Sequence, residues 1–255
     1  MRVGIFDSGL GGLLTARYVR ALHPQADILY YGDTAHLPYG DKSPAQIQSY
    51  VRSITAFLCA QGAELIAVAC NTASSVAIEA VYDAAGTVPV LDAITPAVRA
   101  FQLHRYAEPV GVIGTYTTIR SGIYRTALEK LGYSVQDLAT PLLVPLIEEG
   151  WLEHPATHAA LDTYLSQISG IQTLLLACTH YPLIEPQIHA YYQHVGQKVE
   201  ILNTAALLAE EIVRNLPPRG SGFFSCWLSD PNPRFLALAE RFWEAPILPI
   251  PAPIA

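Results

Sequence analysis

The sequence predicts an α/β protein of two pseudo-symmetric halves, each a mainly parallel sheet flanked by helices. Short, nearly all-apolar runs alternate with amphipathic stretches along the chain. Strands of a parallel sheet carry this continuous apolar character, because crossover helices cover both faces of the sheet. The alternation restarts near the middle, and one motif is written twice. Glu64-Leu65-Ile66-Ala67-Val68-Ala69-Cys70-Asn71-Thr72 returns as Gln172-Thr173-Leu174-Leu175-Leu176-Ala177-Cys178-Thr179-His180, 178 − 70 = 108 positions later in 255 residues. Each copy ends an apolar run in Ala-Cys and continues in polar residues, so each half delivers one thiol to a common place.

The elements follow in order. Arg2 to Phe6 is a β-branched apolar run leading into Asp7-Ser8-Gly9-Leu10-Gly11-Gly12 and an amphipathic stretch through Leu22, which reads as strand, tight loop and helix. A dinucleotide fingerprint would place a third glycine where Leu14 stands, so a Rossmann cofactor site is not expected. The glycines still permit close backbone approach to a ligand. Asp27 to Tyr31 is a second strand, followed by the loop Gly32 to Gly40 with Pro38-Tyr39-Gly40 at its end. Ser43-Pro44-Ala45-Gln46 has the capping-box pattern with proline in the first helical position, and predicts a helix to about Gln61. Leu65 to Ala69 is the first cysteine strand, a helix runs from about Thr72 to Ala85, and Val88 to Leu91 is a strand.

In the second half, Val110 to Ile113 is a strand, Gly114 to Thr118 a loop, and a helix continues to about Leu131. The apolar run Leu142 to Ile147 precedes Glu148-Glu149-Gly150, and a helix spans roughly Pro155 to Ser169. After the second cysteine strand come a helix from Pro182, a strand from Val199 to Leu202 and a helix from Thr204 to Asn215. Pro217 to Gly222 is a turn-rich break. A last strand and helix lie within Phe223 to Phe242, and the proline-rich tail from Pro246 is expected to be extended. In open parallel sheets ligands sit beyond the carboxyl ends of the strands. The Asp7 loop, the Tyr39 loop and Cys70 all fall at that edge.

Composition narrows the function. Hydrophobic residues make up 51% of the chain and charged residues 15%, and no apolar run approaches the ~20 residues that cross a bilayer. The first residues lack the long apolar core of a signal peptide, so the cytoplasm is the expected location and no membrane partner is expected. A net charge of −7 without a basic stripe argues against a nucleic-acid surface. The four cysteines (Cys59, Cys70, Cys178, Cys226) form no C-x-x-C pair, which removes the usual zinc and thioredoxin-like spacing, and no metal site is expected. Cys59, on an apolar helix face, and Cys226 read as core residues. Cys70 and Cys178 each precede polar residues and the start of a helix, a setting that favours a reachable thiolate. A nucleophilic hydrolase needs one thiol and a base, so a second would be surplus. Two thiols could instead form a redox pair, or serve as opposed acid and base for proton transfer at a stereocentre.

Asp7-Ser8-Gly9-Leu10-Gly11-Gly12, Gly32-Asp33-Thr34 with Pro38-Tyr39-Gly40, Cys70-Asn71-Thr72-Ala73-Ser74, Ile113-Gly114-Thr115, Val144-Pro145-Leu146-Ile147-Glu148 and Cys178-Thr179-His180-Tyr181-Pro182 together resemble the motif series of the glutamate racemase family, from residue 3 to about 190. The resemblance implies cofactor-independent interconversion of L- and D-glutamate, supplying D-glutamate for peptidoglycan, with the site between two facing α/β domains. An aspartate or other amino-acid racemase of the same superfamily is the near alternative; a thiol or Cys-His enzyme of other chemistry and a non-catalytic small-anion-binding protein are the distant ones. Carried over by position, Cys70 would act at the D-glutamate face with Asp7 assisting, and Cys178 at the L-glutamate face with Glu148 and His180 assisting. Substrate-binding candidates are Ser8, Pro38, Tyr39, Gly40, Asn71, Thr72, Thr115, Thr118 and Thr179, which imply neutral donors for the anions. The expected division is residues 1–96 with 208–255, carrying Cys70, and 97–207, carrying Cys178, and the expected assembly is a homodimer. The chain departs from the family pattern at Asn203-Thr204, where Asp-Ser is usual, and matches it loosely beyond Asn215.

Overall fold

The computed structural model describes residues 1–231 and 233–252. The first half runs β1 (Arg2–Asp7), α1 (Gly12–Leu22), β2 (Asp27–Gly32), α2 (Pro44–Ala60), β3 (Leu65–Val68), α3 (Asn71–Val76), α4 (Ile78–Ala85) and β4 (Val90–Asp92). The chain continues through α5 (Ile94–Leu103), β5 (Val110–Gly114), α6 (Tyr116–Arg120), α7 (Ile123–Lys130), β6 (Val135–Ala139), α8 (Leu143–Glu148), α9 (Pro155–Leu165), β7 (Thr173–Ala177), α10 (Glu185–His194) and β8 (Glu200–Asn203). It returns through α11 (Thr204–Asn215) to β9 (Phe224–Leu228), α12 (Pro233–Trp243) and β10 (Ile250–Pro251). No helix among the described residues is long and apolar enough to cross a membrane.

The strands form two sheets, ordered β10-β9-β2-β1-β3-β4 and β6-β5-β7-β8. Every pairing is parallel. Within them, β2-β1-β3-β4 and β6-β5-β7-β8 are the same order, so the doubled cysteine motif marks a doubled topology. In each half the third strand carries the cysteine just past its carboxyl end. The C-terminal segment adds β9 and β10 to the free edge of β2. The tail from Pro246 thus supplies a short edge strand, and its last three residues lie outside the described residues.

Side chains alternate across each sheet as a pleated strand requires. Val3 and Ile5 face a core shared with Leu174 and Leu176, which joins the two halves. Phe6 faces a second cluster beneath α2 and α4 with Ile47, Val51 and Ile54. Leu175 and Ala177 face a third beneath α5 and α7. The capping box at Ser43 is present in both directions, with proline opening α2.

Three expectations need amendment, and one apolar run left without an assignment takes its place in a helix. The helix expected over 72–85 breaks at Ala77, the C-cap of α3, whose φ of −137° is not helical. The helix expected to Leu131 breaks at Gly122, whose φ of 67° is left-handed. The run Leu142 to Ile147 lies almost wholly in α8, and the edge strand of that sheet is β6, where Gln136 and Asp137 interrupt the apolar pattern. Finally, Cys178 is followed by a 3-10 turn, Tyr181–Ile184, before α10 begins.

Candidate active site

The carboxyl ends of β1, β3, β5 and β7 meet around one cavity of about 80 Å³. Ser8, Pro38, Tyr39, Gly40, Cys70, Asn71, Thr72, Thr115, Glu148, Cys178, Thr179 and His180 all line it. Asp7 and Thr118, the other two candidates, stand behind that lining. Gly9, Leu37, Asp41, Tyr116, Thr140, Pro141, Val144 and Pro145 complete the wall. Of these, Val144 and Pro145 belong to the motif that ends in Glu148, though neither was a site candidate, and Pro141 just before that run was not anticipated. Among the described lining residues there is no Lys or Arg.

Cys70 caps α3: its sulfur accepts the Ala73 N–H at 3.4 Å and its thiol donates to Ser8 Oγ at 3.5 Å. The short helix does not make this a thiolate. Burial, with the Asp7 carboxylate adding to it, pushes the Cys70 thiol up to about 12 despite the Ser8 and Ala73 contacts. Asp7 is itself fully buried and accepts from the Gly9 N–H at 3.2 Å and from the Thr179 hydroxyl at 3.2 Å. Burial raises its carboxyl, against the pull of His180 and of the Gly12, Gly9 and Thr179 donors. Asp7 thus links the end of β1 to the residue beside Cys178.

The Cys178 side is built differently. His180 Nδ1 lies 4.0 Å from Cys178 Sγ, and Nε2 lies 3.2 Å from Glu148 Oε1. The second contact is close enough for an ion pair but out of line for a hydrogen bond, and Nε2 has no such partner. Burial opposes a charge on this imidazole, yet the Cys178 and Glu148 contacts outweigh it and hold His180 well above its ordinary value. The Phe242 ring meets His180 edge-on, with centroids 5.4 Å apart.

The loop glycines serve these groups. A side chain on Gly11 would strike Thr179 and His180, and one on Gly12 would strike Asp7. The close approach they permit is therefore to the protein's own site residues.

The polar wall divides into hydroxyls and a buried support. Thr72 and Thr115 hydroxyls are 2.9 Å apart, and Thr118 stands 3.3 and 3.0 Å from them. The Asn71 amide is engaged at both ends, by Tyr124 and Thr204. Tyr39 donates to the buried Asp33 at 2.6 Å, which also meets His36 and Ser229. Asp33, Tyr124 and Thr204 were not anticipated as site residues. Cys59 and Cys226 sit away from the cavity, on α2 and β9.

This arrangement can hold a small polar molecule between two thiols that come from equivalent places in two half-units. The sequence model of the Asp/Glu/Hydantoin racemase family matches residues 14–212. A glutamate racemase of Persephonella marina is 41% identical over 243 residues, 94% of this chain and 92% of that protein. One from Geobacter metallireducens is 38% identical over 94% of this chain and 92% of its own length. Among solved structures, a Francisella tularensis glutamate racemase in complex with D-glutamate superposes with a TM-score of 0.88 at 30% identity, covering 97% of this chain and 95% of that one. A Thermus thermophilus glutamate racemase in complex with β-chloro-D-alanine gives 0.85 at 36% identity, covering 98% and 96%. With a family model spanning most of its length and such relatives along nearly all of it, the chain belongs to the Asp/Glu/Hydantoin racemase family, among the glutamate racemases.

Proposed function

We propose that this racemase interconverts L- and D-glutamate without a cofactor, by proton transfer between two opposed thiols. The observation that carries the reading is the pair Cys70 and Cys178, lining one small cavity from equivalent positions of the two halves with unequal partners. Cys70, whose thiol burial holds protonated, is the acid of the resting state. Cys178 is the base, with the charged imidazole of His180 as counter-ion and Glu148 behind it. From L-glutamate, the Cys178 thiolate takes the α-proton, and the electron pair left on the carbon spreads onto the neighbouring carboxylate. The Cys70 thiol then gives its proton to the opposite face. The turnover ends with Cys178 as thiol and Cys70 as thiolate, which is the starting state for D-glutamate.

An α-proton beside a carboxylate is very weakly acidic, so the site must stabilise the charge that develops there. Ser8, Thr72, Thr115 and Thr179, with the Asn71 amide and the backbone at Tyr39 and Gly40, are the neutral donors assigned to the carboxylates. Thr118 supports the two threonines in front of it, and Pro38 shapes the wall. Asp7 lies between the halves, tuning Cys70 through its charge and holding Thr179. The catalytic unit comprises residues 1–96 with 208–255 and residues 97–207, works as a cytoplasmic homodimer and supplies D-glutamate for peptidoglycan.

The test is solvent exchange. In deuterated water the purified protein should replace the α-hydrogen of glutamate and abolish its optical rotation. Exchange with aspartate alone would move the substrate assignment, and exchange with neither would end the racemase reading of this site.

A further inference from the structure

Asn71 follows Cys70 directly and is 2% exposed, yet both ends of its amide are held by residues from beyond the first sheet. The Tyr124 hydroxyl on α7 donates to Oδ1 at 2.6 Å. Nδ2 donates to Thr204 Oγ1 at 3.2 Å, and the Thr204 hydroxyl, at the start of α11, donates to the Leu176 carbonyl at 3.0 Å. Leu176 lies in β7, two residues before Cys178.

Hydrogen-bond valence sets the direction of this series. A carbonyl only accepts, so the single proton of Thr204 is committed to Leu176 and Thr204 must accept from the amide. The amide oxygen then faces Tyr124, whose hydroxyl must donate. Turning the Asn71 amide over would set its oxygen against Thr204, which has no proton left to donate, so its orientation is fixed by the network. Tyr124 and Thr204 are 2% and 1% exposed, so both bonds are buried. One N–H of Asn71 is left over, and Asn71 lines the cavity.

We infer that Tyr124 and Thr204 are positioning residues, which tie the Cys70–Asn71 segment to the strand carrying Cys178 and fix which N–H of Asn71 serves the cavity. The inference rests on the two-thiol reading above. It assigns the spacing of the two thiols to a buried brace as well as to backbone packing, with the Asp7–Thr179 bond as a second tie across the same cleft.

Thr204→Val keeps the shape of the side chain and removes the hydroxyl. It should lower kcat/KM for both enantiomers about tenfold, and Tyr124→Phe should do likewise. Thr204→Ser should restore activity to within about twofold of the unsubstituted chain, since it returns only the hydroxyl. In an Asn71→Ala background, Thr204→Val should cost less than about a further twofold, because both act through one amide. Undiminished activity in Thr204→Val and Tyr124→Phe, or losses that multiply with that of Asn71→Ala, would overturn the inference. If Thr204→Val does not fold, Tyr124→Phe carries the same comparison. Absence of exchange in the unsubstituted chain would bring down the two-thiol reading and this inference with it, whereas normal exchange there with a normal rate in Tyr124→Phe and Thr204→Val would bring down this inference alone.

Discussion

Gly11→Ala isolates how tightly the Thr179–His180 turn is held. Gly11 caps α1 with φ −59° and ψ −32°, a conformation alanine adopts freely, so any penalty comes from the added methyl group. That carbon would lie 2.3 Å from Thr179 Oγ1 and 2.8 Å from His180 Nδ1. Ordinary contact begins at 3.4 Å, so the turn must retreat by about 3.4 − 2.3 = 1.1 Å. Thr179 is bonded to Asp7 and His180 stands against Glu148, so neither can swing aside without breaking a contact of the site. A misplacement of about 1 Å among reacting groups costs on the order of a hundredfold in rate. Overpacking costs about 1–3 kcal/mol, offset by about 0.4–1 kcal/mol from the stiffer unfolded chain. The expected result is therefore about a hundredfold loss of kcat/KM with a net destabilisation of about 1–2 kcal/mol. Polarimetry of each glutamate enantiomer reads the first, and urea denaturation the second. Gly9→Ala is the comparison for stability, since its added carbon meets only the flexible end of Leu37, at 3.3 Å. Activity within about twofold of the parent would refute the claim that a rigid turn positions Cys178 and His180.

Three further outcomes are expected. Cys70→Ser and Cys178→Ser should each abolish net racemisation, while Cys226→Ala, in the core, should retain activity and cost about 1–2 kcal/mol in denaturation; full racemisation in either serine variant would remove the two-base mechanism. Glu148→Gln should draw the His180 value downward and move the alkaline limb of the pH–rate profile to lower pH. The sign for stability follows the same way: His180 is raised in the fold, so its contribution is complete below its ordinary 6.5 and fades as pH rises through the higher folded value. Denaturation across pH should show that fading in the parent and less of it in Glu148→Gln, and identical profiles would contradict the pairing. Ser229→Ala removes one of the donors to buried Asp33 and should cost about 1.5–3 kcal/mol, raising KM more than it lowers kcat because Asp33 anchors Tyr39 of the cavity wall. An unchanged KM would separate that loop from substrate binding.

The sequence made the local grammar legible and left its long-range partners hidden. The capping box at Ser43, the apolar strands and the doubled Ala-Cys motif are all set by neighbouring residues, and all three were readable. The strand β6 was not, because its polar Gln136 and Asp137 suit an edge position and Asp137 pairs with Arg125. The role of Gly11 was visible only as freedom of approach; what approaches is Thr179, far away in the chain. Asn71 was readable as a residue beside a thiol, but its amide partners lie 53 and 133 positions away. The polarity after Cys70 likewise suggested a thiolate, whereas the depth of burial, which depends on the whole fold, decides the other way.

On the proposed two-thiol reading, the unequal surroundings of the two cysteines explain how a repeated unit could serve a reaction with two opposite faces. Repetition alone, with β1–β4 and β5–β8 in the same order, brings two sulfurs to one cavity. It would also give them the same protonation state, and two thiolates or two thiols cannot pass a proton across a carbon. The symmetry is broken by what each loop places beside its sulfur. Burial and the Asp7 charge favour the neutral thiol at Cys70 against the pull of the Ser8 contact, while His180 brings a cation to Cys178, held by Glu148 from α8. That helix occupies a stretch for which the first half has a loop and α2 in place of an acid beside the cysteine. On the proposed two-thiol reading one proton is shared between the two sulfurs at rest, and each turnover gives it to one face of the substrate while the other sulfur takes the proton from the opposite face.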